Sequence, residues 1–173
     1  MISQRVQDAI NDQIKEELES AYLYLSMVGY FESVGLEGMA HWMTVQTQEE
    51  MSHAKKLFDH LVERGGRVTL QPLAAPQAEW ASPLDAFKAA YAHEQFITER
   101  IDALAKIAAE ENDRAASIAL QWFVTEQVEE EASASRIVDL LQRIGGDGPA
   151  LVMVDRELSQ RVYTPPDGGE GEA

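Results

Sequence analysis

The sequence contains no cysteine, which removes disulfides, thiolate metal sites and thiol catalysis together. Basic residues are scarce, 14 against 30 acidic, for a net charge of −16. A surface of that sign repels phosphate backbones and anionic membranes, so neither nucleic acid nor a membrane is an expected partner. It attracts cations, although acidity also serves solubility alone. No stretch approaches the ~20 apolar residues of a membrane span, and Met1 to Arg5 carries no apolar signal segment. These absences point to a cytoplasmic protein. Glycine and proline are few and sit near the ends of segments, and no alternating strand pattern competes.

What is present is helical periodicity in a chain of 173 residues, 45% of them apolar, enough for one domain with a substantial core. Four long helices are predicted: Ser3 to Ser33, Leu36 to Arg64, Ser82-Pro83 to Glu111, and Asp113 to Ile144. Ser82-Pro83 is a cap-and-first-turn pair, and Gly145-Gly146 is a stop signal. At ~1.5 Å per residue each helix is roughly 42 to 48 Å long. Short turns at Gly35 and Asn112 make the first and second helices antiparallel neighbours, and likewise the third and fourth. The stretch Gly65 to Ser82 can extend roughly 59 Å at ~3.3 Å per residue, enough to cross the bundle end to end. The expected fold is therefore all-α, a four-helix bundle with one long crossover. A short fifth helix is expected over Ala150 to Val162, and residues 164–173 read as a disordered acidic tail beyond a domain spanning 1–163.

Each helix buries a seam with alternating steps of three and four. The seams read Ile10, Ile14, Glu17, Ala21, Tyr24, Val28; then Met39, Met43, Gln46, Glu50, His53, Leu57; then Phe87, Tyr91, Glu94, Ile97, Ile101, Leu104; and Ala116, Leu120, Phe123, Gln127, Glu130, Ala134, Ile137, Leu141, Ile144. At one level, near every midpoint, each seam supplies a carboxylate. Antiparallel helices bring their midpoints to one height, so Glu17, Glu50, His53, Glu94 and Glu130 should converge. One glutamate on a seam is usually an edge residue whose carboxylate reaches solvent. Four together cannot stay ionised in a core without cations, and two divalent ions supply that compensation. Oxygen ligands with one imidazole suit iron or manganese better than zinc.

The motifs Glu17-Leu-Glu-Ser-Ala-Tyr-Leu-Tyr24, Gln48-Glu-Glu-Met-Ser-His-Ala54, His93-Glu-Gln95 and Gln121-Trp-Phe-Val-Thr-Glu-Gln-Val-Glu-Glu130 resemble the ferritins, specifically the bacterial non-haem type, over nearly the whole chain. The resemblance implies a ferritin-like bundle in which Glu17, Glu50 and His53 hold one iron. Glu50 bridges to a second iron held by Glu94 and Glu130, and Gln127 lies beside it. Dioxygen or hydrogen peroxide takes one electron from each ferrous ion, and the ferric product enters a cavity as mineral within a hollow 24-subunit homo-oligomer. Bacterioferritins carry a second Glu-x-x-His where this chain has Gln127 and Glu130, which argues against that type. Met51 is taken as a core or interface residue, and no haem is expected.

Glu49, Glu126 and Glu129 resemble a third iron site, with a solvated acidic face as the other reading. Tyr24 supplies an electron or a hydrogen bond near the iron by family likeness, or else is an aromatic core residue with a satisfied hydroxyl. Trp122 has the same two readings. His41, His60 and His93 lack partners at ligand spacing and read as packing or surface residues, and Glu131 reads as facing solvent. Three functions compete: a ferroxidase that stores iron, a di-iron or manganese oxidase without a cage, and a non-catalytic helical bundle binding a protein partner.

Overall fold

A computed structural model of the chain describes residues 2–145 and 148–165; of the expected acidic tail, everything from residue 166 lies outside them. Four long helices and one short one are present: α1 (Gln4–Ser33), α2 (Glu37–Glu63), α3 (Pro83–Glu110), α4 (Arg114–Ile144) and α5 (Gly148–Leu158). Their starts follow local chemistry. Ser3, Ser82 and Asp113 each accept a backbone N–H three residues on, satisfying donors that the first helical turn leaves unpaired. Asn112, with φ of 56°, turns α3 into α4, and Gly145, with φ of 79°, closes α4.

The crossover is tied to α1 along that helix's full length. Arg67 N–H donates to Gln7 Oε1 at 2.9 Å, Thr69 N–H to Asn11 Oδ1 at 2.8 Å, and Ala74 N–H to Glu19 Oε1 at 2.9 Å. Ser26 Oγ then donates to the Gln77 carbonyl at 2.7 Å, and Trp80 packs edge-on to Tyr30. The order of partners shows the segment running alongside α1 from start to end, so α3 begins at the opposite end from where α2 stops. Arg5 at the start of α1 accordingly meets Glu110 at the end of α3, with a separation of 2.6 Å.

The interior has two apolar halves. One gathers Tyr24, Met27, Phe31, Met39, Trp42, Phe87, Ile137 and Leu141, and the other Val6, Ile10, Ile14, Leu57, Ile97, Ile101 and Phe123. Between them lies the polar layer described below. The expected seams hold apart from Val28 and Ile144 at far ends, both half-buried, with Met27 buried in place of Val28, and Tyr91, one step before Glu94, half-buried beside a buried Ala90. A straight helix drifts from a strict seven-residue repeat by ~20° per heptad, so a seam read over many turns slides by one residue.

The fifth helix departs from its expected range: it runs Gly148–Leu158 rather than Ala150 to Val162. Val154 and Leu158 are buried, and Asp155 Oδ1 accepts the Met39 N–H at 2.8 Å at the start of α2. The chain then leaves the helix so that Arg161 can turn back toward α2, a tie absent from any local pattern. Docking needs Gly38, since a Cβ there would lie 1.8 Å from the Asp155 carbonyl oxygen. Gly38→Ala is expected to weaken the seating of α5 by about 1–3 kcal/mol. Amide hydrogen exchange over 148–165 should accelerate while exchange in the middle of α1 stays as it was.

Candidate metal centre

Each helix lends its midpoint to one layer. Glu17 from α1, Glu50 and His53 from α2, Glu94 from α3 and Gln127 and Glu130 from α4 are all buried, none more than 5% exposed. Glu17, Glu50 and His53 offer ligand atoms within 4.8 Å of one another, and so do His53, Glu126 and Glu130. His53 Nδ1 stands 3.4 Å from Glu50 Oε2 and 4.0 Å from Glu17 Oε2.

The carboxylates are held by donors around them. Gln13 Nε2 donates to Glu17 Oε1 at 2.9 Å. Gln46 Nε2 donates to both Glu50 Oε1, at 3.1 Å, and Glu130 Oε2, at 2.8 Å. Tyr24 donates its hydroxyl to Glu94 Oε1, and Gln127 Nε2 donates to Glu94 Oε2 at 3.2 Å. Gln127 thus aims its amide nitrogen at a carboxylate of the layer. Glu17 Oε2 is buried without a hydrogen-bond partner. Left ionised, that oxygen would be costly without a partner; either a proton of its own or a cation among Glu17, Glu50 and His53 relieves it. Hard oxygens with one imidazole fit such a cation.

Without a cation the layer cannot carry all its charges. Burial, then the charge of Glu50, pushes Glu17 up to about 8 and raises Glu94 well above the carboxylate range. Burial, then Glu50 and Glu49, pushes Glu130 up to about 7. Burial also disfavours charge on His53 and on Glu50, but each stabilises the other: His53 rises to about 10 and Glu50 falls below its ordinary value. Metal-free, the layer is an imidazolium–carboxylate pair surrounded by carboxyls that hold protons, the state that divalent cations displace.

Beside the layer, a cavity of about 600 Å³ is lined by Glu49, His53, Trp122, Glu126, Glu129 and Arg161, among others. Glu49, from α2, and Glu126 and Glu129, from α4, thus line one cavity. Yet the Glu49 carboxylate is ion-paired with Arg161, and Glu129 is exposed. Trp122 sits edge-on to His53, its ring beneath Lys56 Nζ at 4.8 Å. His93 bonds to Ser20 Oγ at 2.8 Å and lies edge-on to Tyr24, a packing role as expected. Glu131 departs from its solvent-facing assignment: it is half-buried and accepts from Thr98 Oγ1 at 2.6 Å, because its place on α4 turns it toward α3.

Three residues escaped singling out in the sequence. Gln13 and Gln46 each stand one turn before a layer glutamate, a repeated Gln-x-x-x-Glu spacing that puts the amide beside the carboxylate. That spacing was available as a signal. Arg161 had none, because its contacts are with α2, far away in sequence.

Comparison with known proteins agrees with this fold. A family model described as a ferritin-like domain matches residues 7–144. A bacterial non-heme ferritin of Bacteroides fragilis is 45% identical over 93% of this chain and 100% of its own length. One from Staphylococcus haemolyticus is 36% identical over 94% of this chain and 98% of its own. Among solved structures, an open-pore ferritin of the hyperthermophilic archaeon Archaeoglobus fulgidus superposes with a TM-score of 0.93 at 52% identity, covering 94% of this chain and all of that one. An engineered closed form of the same archaeal ferritin gives 0.93 at 52% identity, with 95% of this chain and all of that one covered. With a carboxylate from each of the four long helices in one buried layer, and with these matches running nearly end to end, the chain belongs to the ferritin family.

Proposed function

We propose that the buried layer is the site at which this iron-storage ferritin oxidises Fe(II). Glu17, Glu50 and His53 hold one iron, and Glu50 bridges to a second held by Glu94 and Glu130. The observation that carries this reading is one buried carboxylate from each of four helices at one height, including a Glu17 oxygen without a donor. Two ferrous ions each release one electron. With dioxygen as acceptor, two protons join and hydrogen peroxide leaves; with hydrogen peroxide, the same electrons and two protons give two waters. The ferric product passes to a mineral core inside a 24-subunit shell. Glu49, Glu126 and Glu129 form a third iron site beside the pair, the domain occupies residues 1–163, and the protein works in the cytoplasm.

The residues divide the labour. Carboxylates supply the negative charge that favours the ferric state. Gln13, Gln46 and Gln127 donate amide N–H groups to Glu17, to Glu50 and Glu130, and to Glu94, and so fix how those carboxylates are turned. Tyr24, whose hydroxyl burial and Glu94 keep protonated far above its ordinary range, remains a donor to Glu94. Tyr24→Phe removes that donor with little change in shape. It is expected to slow the first, fast phase of oxidation by about tenfold, as loss of a ligand's hydrogen-bond partner typically does, and stopped-flow absorbance checks it.

The test of the function is anaerobic loading with Fe(II), then air, with near-ultraviolet absorbance followed while the particle is sized. Fast oxidation saturating near two irons per chain, in a large hollow shell, is the expected result. The same oxidation in a small oligomer would leave an oxidase and remove the storage role. No oxidation faster than in buffer would return the layer to a structural part.

A further inference from the structure

The segment that leaves α5 brings a single guanidinium to the edge of the layer. Arg161 Nη1 donates to Gln46 Oε1 at 2.7 Å, while Nη2 is paired with Glu49. The guanidinium also lies over the Trp42 ring, 4.1 Å from its centre, and the Arg161 carbonyl is bonded to His41 Nε2 at 2.8 Å. An exposed ion pair holds its partners loosely, but this side chain is gripped on both arms, on one face and through its backbone.

What it grips matters because of Gln46. That side chain is fully buried, and a carboxamide has two orientations of nearly equal shape. A guanidinium has donors and no acceptor, so Gln46 must turn its oxygen toward Arg161. The nitrogen then necessarily faces inward, where it donates to Glu50 on α2 and Glu130 on α4. In the reversed orientation a carbonyl oxygen would confront the Glu50 carboxylate, and both acids would lose the N–H that now joins them. Arg161 thus selects the orientation that ties two ligands of the layer to each other.

We propose that Arg161 is a positioning residue of the iron centre, acting through Gln46 to fix the carboxylates of Glu50 and Glu130. The proposal rests on reading the layer as the iron-oxidation site. It makes the C-terminal segment a working part of the centre, with no contact between Arg161 and iron. The fork is essential to it: lysine at this place keeps the charge but offers a single nitrogen, which cannot serve Gln46 and Glu49 with the same geometry.

The experiment compares the parent with Arg161→Met, which keeps apolar cover on Trp42, Arg161→Lys, Gln46→Leu and the double variant R161M/Q46L. Assembled, metal-free protein is titrated anaerobically with Co(II), whose visible spectrum reports ligand geometry, and Fe(II) oxidation is then timed at saturating iron. In shells of unchanged size and thermal stability, R161M and R161K should both alter the Co(II) spectrum and slow oxidation, R161M by about tenfold. On the Q46L background R161M should add less than about a twofold loss, because residues acting through one another are not additive. Parent-like spectra and rates in R161M would overturn the proposal, and so would losses that multiply in the double variant. A parent that binds no Co(II) in the layer would overturn the iron-centre reading and this proposal with it, whereas a parent that binds and an R161M that binds identically overturns the proposal alone.

Discussion

Glu94→Gln is expected to slow Fe(II) oxidation by at least about a hundredfold while leaving the metal-free protein no less stable than the parent. Loss of a ligand's hydrogen-bond partner alone costs metal sites about 10- to 100-fold, and this change removes a ligand's charge. In the metal-free protein the Glu94 carboxyl already keeps its proton, because burial and then Glu50 and Glu130 oppose its ionisation. A carboxamide has nearly the shape and polarity of that neutral acid. Its oxygen can still accept from Tyr24, and Gln127 keeps the Glu94 backbone carbonyl as an acceptor at 3.2 Å. Fold and function therefore separate at one residue. A Glu94 that served packing would tolerate the change in both assays. Stopped-flow absorbance at saturating Fe(II) and thermal unfolding of the metal-free shell check the two halves, and parent-like oxidation by the variant would remove Glu94 from the centre.

The layer was legible in the sequence because helical spacing is a strong constraint. A seam with steps of three and four fixes which residues face inward, and equal helix lengths fix their heights. Glu17, Glu50, His53, Glu94 and Glu130 needed only those two rules to be placed together, and all five are buried in one layer. Away from the layer the first seam slid by one residue, from Val28 to Met27, and close beside the layer Tyr91 gave way to Ala90. Residues that depend on chain segments beyond the four helices were not legible. Arg161 reaches Gln46 because α5 docks through Gly38 and Asp155, and no periodicity links residue 161 to residue 46. Glu49, Glu126 and Glu129 were read as a third iron site or a solvated acidic face, without the arginine that engages Glu49, because it arrives from beyond the four long helices. Periodicity reports what a helix turns inward. It is silent on what a distant loop lays against it.

Metal-free protein should lose stability as pH rises from 6 to 8, the reverse of what loaded protein should do. The sign follows from proton counts. A carboxyl whose folded pKa is raised holds a proton that the unfolded chain has already released, so its contribution is complete below the unfolded value of 4.5 and is lost as pH climbs through the folded value, about 8 for Glu17 and about 7 for Glu130. His53, raised from 6.5 to about 10, acts in the same direction across the upper part of that window. Glu50, lowered by His53 despite its burial, contributes stability that fades only in acid, below the window. His60 and His93 oppose the trend, since burial lowers both and protonation of the unfolded chain favours unfolding as pH falls toward 6. Each excess proton in the folded state is worth about 1.4 kcal/mol per pH unit. Glu94, raised well above the carboxylate range by burial and then by Glu50 and Glu130, acts in the same direction as Glu17. With these terms set against each other, a net loss of at least about 3 kcal/mol per subunit between pH 6 and 8 is expected. At fixed protein concentration that lowers Tm by at least roughly 6 °C. Glu17→Gln removes one of the protons and should flatten the slope. With saturating Zn(II), a redox-inert stand-in for Fe(II), the bound cation takes the place of those protons, and its affinity grows as they become easier to remove. Loaded protein should therefore gain stability over the same interval, and loading at pH 7 should release protons into weakly buffered solution. A metal-free protein that grew more stable from pH 6 to 8 would mean that its carboxyls are already ionised and compensated from elsewhere, and the layer would then have no protons to exchange for iron.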